Sequence, residues 1–309
     1  KERNFPIENL YLYASSRSAG KLINFNGKDY TIIELKDENI REDLDVALFS
    51  AGGDISLEFA PKFKAKGALV VDNSSAWRMN KDIPLVVPEA NPEALENHNG
   101  IIANPNCSTI QVMPILKVLH EKYGLKRVIY STYQAVAGSG QKGIDDLEAN
   151  LKGESSKGYP HQIAFNLIPH IDAFLDNGYT KEEIKMIEET RKILGIPNLK
   201  VTATCVRVPV KMGHAVSINV ELENSFKLED VIKAFEEKEG VIVRDDVKNN
   251  IYPMPIEAED TDEVYVGRIR RDESIDNGLN LWVVADNIRK GAATNTIQIA
   301  EEIRKKGVL

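Results

Sequence analysis

The sequence is poor in cysteine. Its two cysteines, Cys107 and Cys205, are far apart, and neither has a His or a second Cys at the spacing of metal ligands. This usage disfavours a structural disulfide or a zinc site and is typical of proteins in a reducing compartment. We therefore expect free thiols and no metal.

Long apolar runs and excess positive charge are also lacking. No apolar run approaches the ~20 residues that cross a bilayer, and the chain does not open on a signal-peptide pattern. The net charge of -8 lacks the positive field that nucleic acids or anionic membranes require. We expect a soluble cytoplasmic protein that acts on small molecules and binds neither nucleic acid nor membrane.

The first third of the sequence predicts a doubly wound, Rossmann-type α/β domain. Short β-branched runs alternate there with an amphipathic helical stretch, a pattern typical of a parallel sheet covered by helices. We expect a helix at 55–66 and strands at 10–14, 30–35, 46–50, 69–72 and 101–103. Residues 1–6 are typical of a helix end entering a turn, so we expect a further strand and helix upstream of them.

From residue 107 onward, the order and length of the predicted elements indicate an α+β domain. We expect helices at 107–123, 142–151, 181–194, 228–237 and 287–305, and strands at 127–136, 201–210, 215–222, 264–269 and 279–284. Residues 1–107 and 286–309 are assigned to a dinucleotide-binding domain, and 108–285 to a catalytic and dimerisation domain. A homodimer through the second domain is expected, because closed twofold pairing is the commonest oligomer.

Cys107 is the strongest candidate for chemistry. It lies in Asn-Pro-Asn-Cys-Ser-Thr (104–109), between a predicted strand and a predicted helix. A lone cysteine is more often a small buried hydrophobe. Ligands bind at strand-to-helix junctions of α/β domains, however, and a helix N-terminus lowers a thiol pKa. We expect a thiolate nucleophile at Cys107 and a structural Cys205.

Two further segments supply candidate ligands. Residues 205–214 place Arg207, able to hold a carboxylate bidentately, and His214, able to exchange protons, around one turn. A lone His is more often a satisfied core or surface residue. The strand at 10–14 runs into Ser-Ser-Arg-Ser-Ala-Gly (15–20), which suits a 2'-phosphate better than a ribose hydroxyl pair, although a plain turn would also use Ser and Gly.

Four motifs together resemble the aspartate-semialdehyde dehydrogenase family. They are 104–109, Thr-Tyr-Gln-Ala-Val-Ala-Gly-Ser-Gly at 132–140, 205–214, and Asp-Asn-Ile-Arg-Lys-Gly-Ala-Ala-Thr-Asn at 286–295. The likeness covers essentially the whole chain. It implies a second domain like that of glyceraldehyde-3-phosphate dehydrogenase and NADPH-dependent interconversion of aspartyl phosphate and aspartate semialdehyde, in biosynthesis of lysine, methionine, threonine and diaminopimelate.

The resemblance also implies roles for individual residues. Cys107 would be the nucleophile and His214 the acid/base; Gln134 would position the reacting group, Arg207 would hold the substrate carboxylate and Glu183 its amino group. Phosphate would be held by Arg78 and Lys185. The NADP cofactor would be held by Ser15, Arg17, Ser18, Ser50, Gly52, Ala137, Gly138 and Asn287. The family's glycine-rich turn after its first strand is absent from these 309 residues.

Three alternatives stay open from sequence. N-acetyl-gamma-glutamyl-phosphate reductase shares the thiol chemistry, but its acylated amine would not require a carboxylate such as Glu183. A cysteine hydrolase or acyltransferase would use Cys107 and His214 without nicotinamide, which the 15–20 segment disfavours. A non-catalytic paralogue would not need the intact set of Cys107, Gln134, Arg207 and His214.

Overall fold

The computed structural model describes residues 2–307. Its strands are β1 (Leu12–Ala14), β2 (Leu22–Phe25), β3 (Lys28–Glu34), β4 (Val46–Phe49), β5 (Leu69–Asp72), β6 (Ile101–Ala103), β7 (Leu125–Gln134), β8 (Lys200–Arg207), β9 (His214–Leu222), β10 (Val241–Val243), β11 (Val264–Asp272) and β12 (Gly278–Ala285). Its α-helices are α1 (Gly53–Ala65), α2 (Cys107–Tyr123), α3 (Gln141–Leu151), α4 (Lys181–Leu194), α5 (Leu228–Glu236), α6 (Pro255–Ala258) and α7 (Asn295–Lys305).

The N-terminal strands form two three-stranded sheets in the described chain. β1 and β3 are parallel, and β2 joins β3 as an antiparallel hairpin. β4, β5 and β6 are parallel neighbours in that order. α1 connects β4 to β5 and buries Phe59, Ala60 and Phe63, while Leu57 on its other face stays exposed. This is the predicted alternation of strand and helix.

The second domain is built on one mixed six-stranded sheet. Its order is β10-β11-β12-β9-β7-β8, with β7 antiparallel to β9 and parallel to β8. α2 packs against this sheet with one face and against α4 with another. Nearly all residues of α2 from Ser108 to Leu119 are therefore buried. The N-terminus of this largely buried helix carries Cys107.

The last helix returns to the N-terminal domain. Ile299 and Ile303 of α7 pack with Leu69 and Val71 of β5 in a separate apolar cluster. A π-helical segment at Arg289–Thr294 precedes α7. The predicted helix at 287–305 is therefore wrong at its start, because its first turns have π geometry.

Other boundaries differ by a few residues. The predicted strands at 127–136 and 201–210 end earlier, at Gln134 and Arg207, where the chain turns into the site. Sequence analysis missed the short elements β2, β10 and α6. No helix within residues 2–307 has both the length and the apolar character needed to span a bilayer.

Candidate active site

A cavity of about 310 Å³ lies where α2 begins and where β7 and β8 end. Six residues expected from the sequence line it together, and they carry one thiol, one amide, three cationic groups and a glycine: Arg78, Cys107, Gln134, Gly138, Lys185 and Arg207. Ser75, Asn106, Ile171, Asp172 and Glu182 complete the wall. Segments distant in sequence thus converge on Cys107.

Cys107 is the first residue of α2 and is partly exposed to the cavity. Asn106 caps the helix, since its side chain accepts a hydrogen bond from the Ser108 N–H at 2.9 Å. Burial raises the pKa of the Cys107 thiol to about 11; Glu182 adds to the rise, and Arg207 and Arg78 oppose it. The expected depression of this pKa is therefore wrong, because desolvation and a nearby carboxylate outweigh the helix terminus.

The π-helical segment packs directly on the nucleophile. A Cβ on Gly291 would lie 2.9 Å from the Cβ of Cys107, so only glycine permits this approach without displacement. The glycine in the 286–295 motif thus has a packing role at the site.

His214 lies at the start of β9 and is fully buried. Its Nδ1 accepts a hydrogen bond from the Ala135 N–H at 3.0 Å. A main-chain N–H can only donate, so the neutral ring carries its proton on Nε2. Nε2 has no partner among the described residues. Burial and then Arg207 lower the pKa of His214 well below 6.5, which keeps the ring neutral.

Arg207 and His214 meet beside Gly138. Arg207 Nη1 donates to the Ala135 carbonyl at 2.8 Å, so the two polar groups of Ala135 orient both side chains. A Cβ on Gly138 would lie 2.9 Å from Arg207 Nη1 and 3.2 Å from His214 Nε2. The missing side chain leaves room for a small ligand to contact both groups.

Gln134 is oriented by Thr132 at the end of β7. Thr132 Oγ1 donates to Gln134 Oε1 at 2.9 Å, and Gln134 Nε2 then donates to Glu182 Oε1 at 3.1 Å. Asn106 Nδ2 donates to the same Glu182 oxygen at 2.9 Å. Glu182 is thus a buried acceptor at the centre of the cavity wall.

Glu183 does not reach the cavity, contrary to expectation. Its Oε2 accepts from the Thr180 N–H at 2.7 Å in a capping box at the start of α4. Its Oε1 accepts from the Cys205 N–H at 3.0 Å. Both oxygens of Glu183 are engaged in structural hydrogen bonds, and the carboxylate of α4 that lines the cavity belongs to Glu182.

The two expected phosphate ligands are both paired with carboxylates. Lys185 Nζ lies 2.7 Å from Asp172 Oδ2 and 3.2 Å from Glu182 Oε2. Burial lowers the pKa of Lys185, but these carboxylates outweigh that effect and raise it. Arg78 Nη1 donates to Glu189 Oε1 at 3.1 Å. An anion entering the cavity would meet two oriented cations.

The expected cofactor residues lie in turns that follow strands or precede helices, and Gly138 among them lines the cavity. Arg17 is exposed in the turn after β1, where the Ser18 N–H donates to the Ser15 carbonyl at 2.9 Å. Ser50 follows β4, and Gly52 precedes α1 with φ of 90°. Ala137 and Gly138 form the short helical turn after β7.

Asn287 provides a test of whether the site fits a nicotinamide. Its Oδ1 accepts from the Gly213 N–H at 2.9 Å, next to His214. Its Nδ2 is buried and has no hydrogen-bond partner in residues 2–307. A buried orphan donor is costly, and a carboxamide oxygen would satisfy it. The residues present therefore fit the cofactor.

The remaining thiol has a structural environment. Cys205 is fully buried in β8. No group of three His, Cys, Asp or Glu side chains that could hold a metal ion occurs in the part of the chain that the structure describes.

Two family models match the chain. One describes the NAD binding domain of semialdehyde dehydrogenase and matches residues 1–98, and the other describes its dimerisation domain and matches residues 116–290. These matches confirm the predicted fold class.

Individual relatives agree with the family models. The aspartate-semialdehyde dehydrogenase of Aquifex aeolicus is 55% identical and aligns over 100% of this chain and 94% of its own. A crystal structure of aspartate semialdehyde dehydrogenase II from Vibrio cholerae, complexed with ASA, is 46% identical with a TM-score of 0.94, over 98% of this chain and 92% of that one.

A more distant structure, the Candida albicans enzyme with NADP, has 29% identity and a TM-score of 0.79, over 98% and 92% of the two chains. With a relative at 55% identity along its whole length, the chain belongs to the aspartate-semialdehyde dehydrogenase family of nicotinamide-dependent oxidoreductases.

Proposed function

We propose that the chain reduces L-aspartyl 4-phosphate to L-aspartate 4-semialdehyde and phosphate, reversibly, through a thioester on Cys107. The observation that carries this proposal is the single cavity in which Cys107 lies with Glu182, Arg207 and the paired cations Arg78 and Lys185. The groups match a substrate with an ammonium, a carboxylate and a transferable phosphoryl group. The product would enter lysine, methionine, threonine and diaminopimelate biosynthesis.

The amino-acid end of the substrate is held by opposite charges. Arg207 presents a planar guanidinium beside Gly138 and binds the α-carboxylate. Glu182, rather than the predicted Glu183, binds the ammonium group. That contact also neutralises the carboxylate that raises the pKa of Cys107, so substrate binding favours the thiolate.

The reacting oxygen is stabilised by His214. When the Cys107 thiolate adds to the aldehyde carbon, one C–S bond forms and the carbonyl oxygen gains negative charge. The Nε2–H of His214 donates to this oxygen. Loss of hydride from the adduct re-forms the carbonyl as a thioester, so the sequence balances without a proton on the oxygen. His214 thus acts here as a hydrogen-bond donor, whereas the family resemblance implied an acid/base.

Phosphate completes the reaction in the oxidative direction. Arg78 and Lys185 hold it, and one of its oxygens attacks the thioester carbon and releases the Cys107 thiolate. Gln134 orients the reacting group through its amide, which Thr132 fixes. In the biosynthetic direction the thiolate attacks aspartyl phosphate, and the same cations stabilise the departing phosphate.

A nicotinamide cofactor, when bound, would accept the hydride in the oxidative direction and supply it in the biosynthetic direction. Asn287 would hold its carboxamide, with Ser50, Gly52, Ala137 and Gly138 along its length. Arg17 and Ser18, with Ser15, would hold a 2'-phosphate, which makes NADP the proposed cofactor. The exposed Arg17 has no ion pair among the described residues and is free to make this contact.

The chief rival, N-acetyl-gamma-glutamyl-phosphate reductase, is disfavoured by Glu182. An acylated amine carries no charge, and a buried carboxylate facing it would be left without a cationic substrate partner. The match to a dimerisation domain at 116–290 supports a homodimer formed through the second domain. We place this dimer in the cytoplasm, in keeping with the two free cysteines.

An absorbance assay at the nicotinamide band tests the proposal. The enzyme is mixed with aspartate semialdehyde, phosphate and either NADP or NAD. We expect sustained formation of reduced cofactor only when phosphate and semialdehyde are both supplied, and a faster rate with NADP than with NAD. N-acetyl-glutamate semialdehyde as the better substrate would establish the rival function.

A further inference from the structure

Glu189 contacts two parts of the site, Arg78 and Asn106, through its two carboxylate oxygens. It lies on α4 and is 1% exposed. Its Oε1 accepts from Arg78 Nη1 at 3.1 Å, and its Oε2 accepts from the Asn106 N–H at 2.7 Å. One oxygen thus binds the proposed phosphate ligand Arg78, and the other binds Asn106, the residue before the nucleophile.

Both the side chain and the main chain of Asn106 are hydrogen-bonded to one face of α4. Glu182 and Glu189 are two turns apart on this helix and point in the same direction. Glu182 accepts from the Asn106 side chain, and Glu189 accepts from its main chain. The side-chain oxygen of Asn106 also caps α2, so its position sets that of Cys107.

Among residues 2–307, the Glu189 side chain makes no hydrogen bond or ion pair other than these two contacts. Burial raises the pKa of Glu189, and Arg78 and the Asn106 N–H oppose that rise. A buried carboxylate is expensive unless it is paired and hydrogen-bonded. Glutamine at this position would have one acceptor and one donor, so its NH₂ would face either Arg78 or the Asn106 N–H. Only a carboxylate accepts from both.

We propose that Glu189 is a positioning residue. The two oxygens of its carboxylate fix the phosphate ligand Arg78 and the main chain of Asn106, directly before the nucleophile Cys107. This inference rests on the proposed role of Arg78. It assigns Glu189 two separable effects. One acts on phosphate affinity through Arg78, and the other acts on thioester formation through Asn106 and Cys107.

Glu189→Gln tests the inference, with Glu188→Gln as the matched control. Glu188 is the adjacent acidic residue, and its carboxylate pairs with Arg191 away from the cavity. Binding of inorganic phosphate is measured by calorimetry, which needs no turnover. The rate of the first nicotinamide reduction is measured by stopped flow without phosphate. We expect Glu189→Gln to weaken phosphate binding about tenfold and to slow the first reduction, and Glu188→Gln to change neither.

The Arg78→Ala background separates positioning from general damage to the fold. There, Glu189→Gln should leave phosphate affinity unchanged and should still slow the first reduction, because the two effects act through different residues. An equal further loss of phosphate affinity in this background would overturn the inference. So would unchanged phosphate affinity in Glu189→Gln alone, and that result would leave the assay of the proposed reaction unaffected.

Glu189→Asp covers the case in which the glutamine variant fails to fold. Aspartate keeps the charge but is one methylene shorter, so it reaches Arg78 or Asn106 and not both. We expect one of the two measurements to change and the other to stay near the parent value. Two unchanged measurements in a folded Glu189→Asp enzyme would contradict the need for both contacts.

Discussion

His214 Nδ1 accepts a hydrogen bond from the main-chain N–H of Ala135 at 3.0 Å, so the Nε2 of this imidazole carries the proton. The ring is fully buried, and burial lowers its pKa well below 6.5. His214 therefore stays a neutral donor across the neutral pH range. Its geometry suits stabilisation of an oxyanion rather than removal of a proton.

The protonation states of the Cys107 thiol and the His214 ring determine how the rate of Cys107 alkylation depends on pH. Because the thiol pKa is raised to about 11, the thiolate fraction and the rate with iodoacetamide should rise with pH up to that value. His214 is already neutral at pH 6.5, so its titration should add no inflection there. A marked step near pH 6.5 in the alkylation rate would contradict the neutral state assigned to the His214 ring at that pH.

Glu182 and Glu183 should respond differently to the same substitution. Glu182→Gln removes the proposed ammonium ligand and should raise the semialdehyde KM by about tenfold or more, while alkylation of Cys107 at neutral pH becomes faster. Glu183→Gln should lower the melting temperature through the capping box and leave KM near its parent value. Steady-state kinetics and thermal denaturation of both variants test the assignment. A raised KM in Glu183→Gln with an unchanged KM in Glu182→Gln would contradict it.

The two cysteines give a second matched pair. Cys107→Ser should remove turnover without unfolding the protein, because an alcohol at this position is far less ionised and less nucleophilic than a thiol. Cys205→Ser should retain activity per folded molecule, since Cys205 is buried in β8 away from the cavity lining. Equal loss in the two folded variants would refute the distinction between them.

Arg17 sets the proposed preference for NADP. Arg17→Ala should weaken NADP binding by about 1.5 to 3 kcal/mol, the contribution of a charge-assisted hydrogen bond, and should change NAD binding much less. Lys28→Ala, in the exposed β2–β3 hairpin, is the control for loss of one positive charge. A fluorescence titration that shows equal losses for both cofactors would rule out contact with the 2'-phosphate.

Sequence patterns predicted the elements that carry the site. The bounds of α2 and α4 are those expected, because each begins at a capping residue, Asn106 or Thr180, and each has a long buried face. The short strand β2 is largely exposed, and β10 has only three residues. Neither gives a periodic signal long enough to detect, so both were missed.

The choice between Glu182 and Glu183 could have been made from sequence. Thr180 followed three residues later by Glu183 is the capping-box pattern, which assigns Glu183 to the start of α4. Adjacent helical residues point about 100° apart, so only one of them can face the cavity. Glu189 carried no such signal, because its partners, Arg78 and Asn106, come from segments that only the tertiary fold brings together.

The central claim is a two-step reaction through a Cys107 thioester, with phosphate required only in the second step. Stopped-flow absorbance with NADP and aspartate semialdehyde, in the absence of phosphate, measures the first step alone. We expect a burst of one NADPH per site, which Arg78→Ala preserves and Arg207→Lys diminishes because lysine lacks the bidentate fork. Added phosphate should then start steady turnover in the parent enzyme and much less in Arg78→Ala. Absence of any burst until phosphate is present would contradict the thioester and the separate roles of the two arginines.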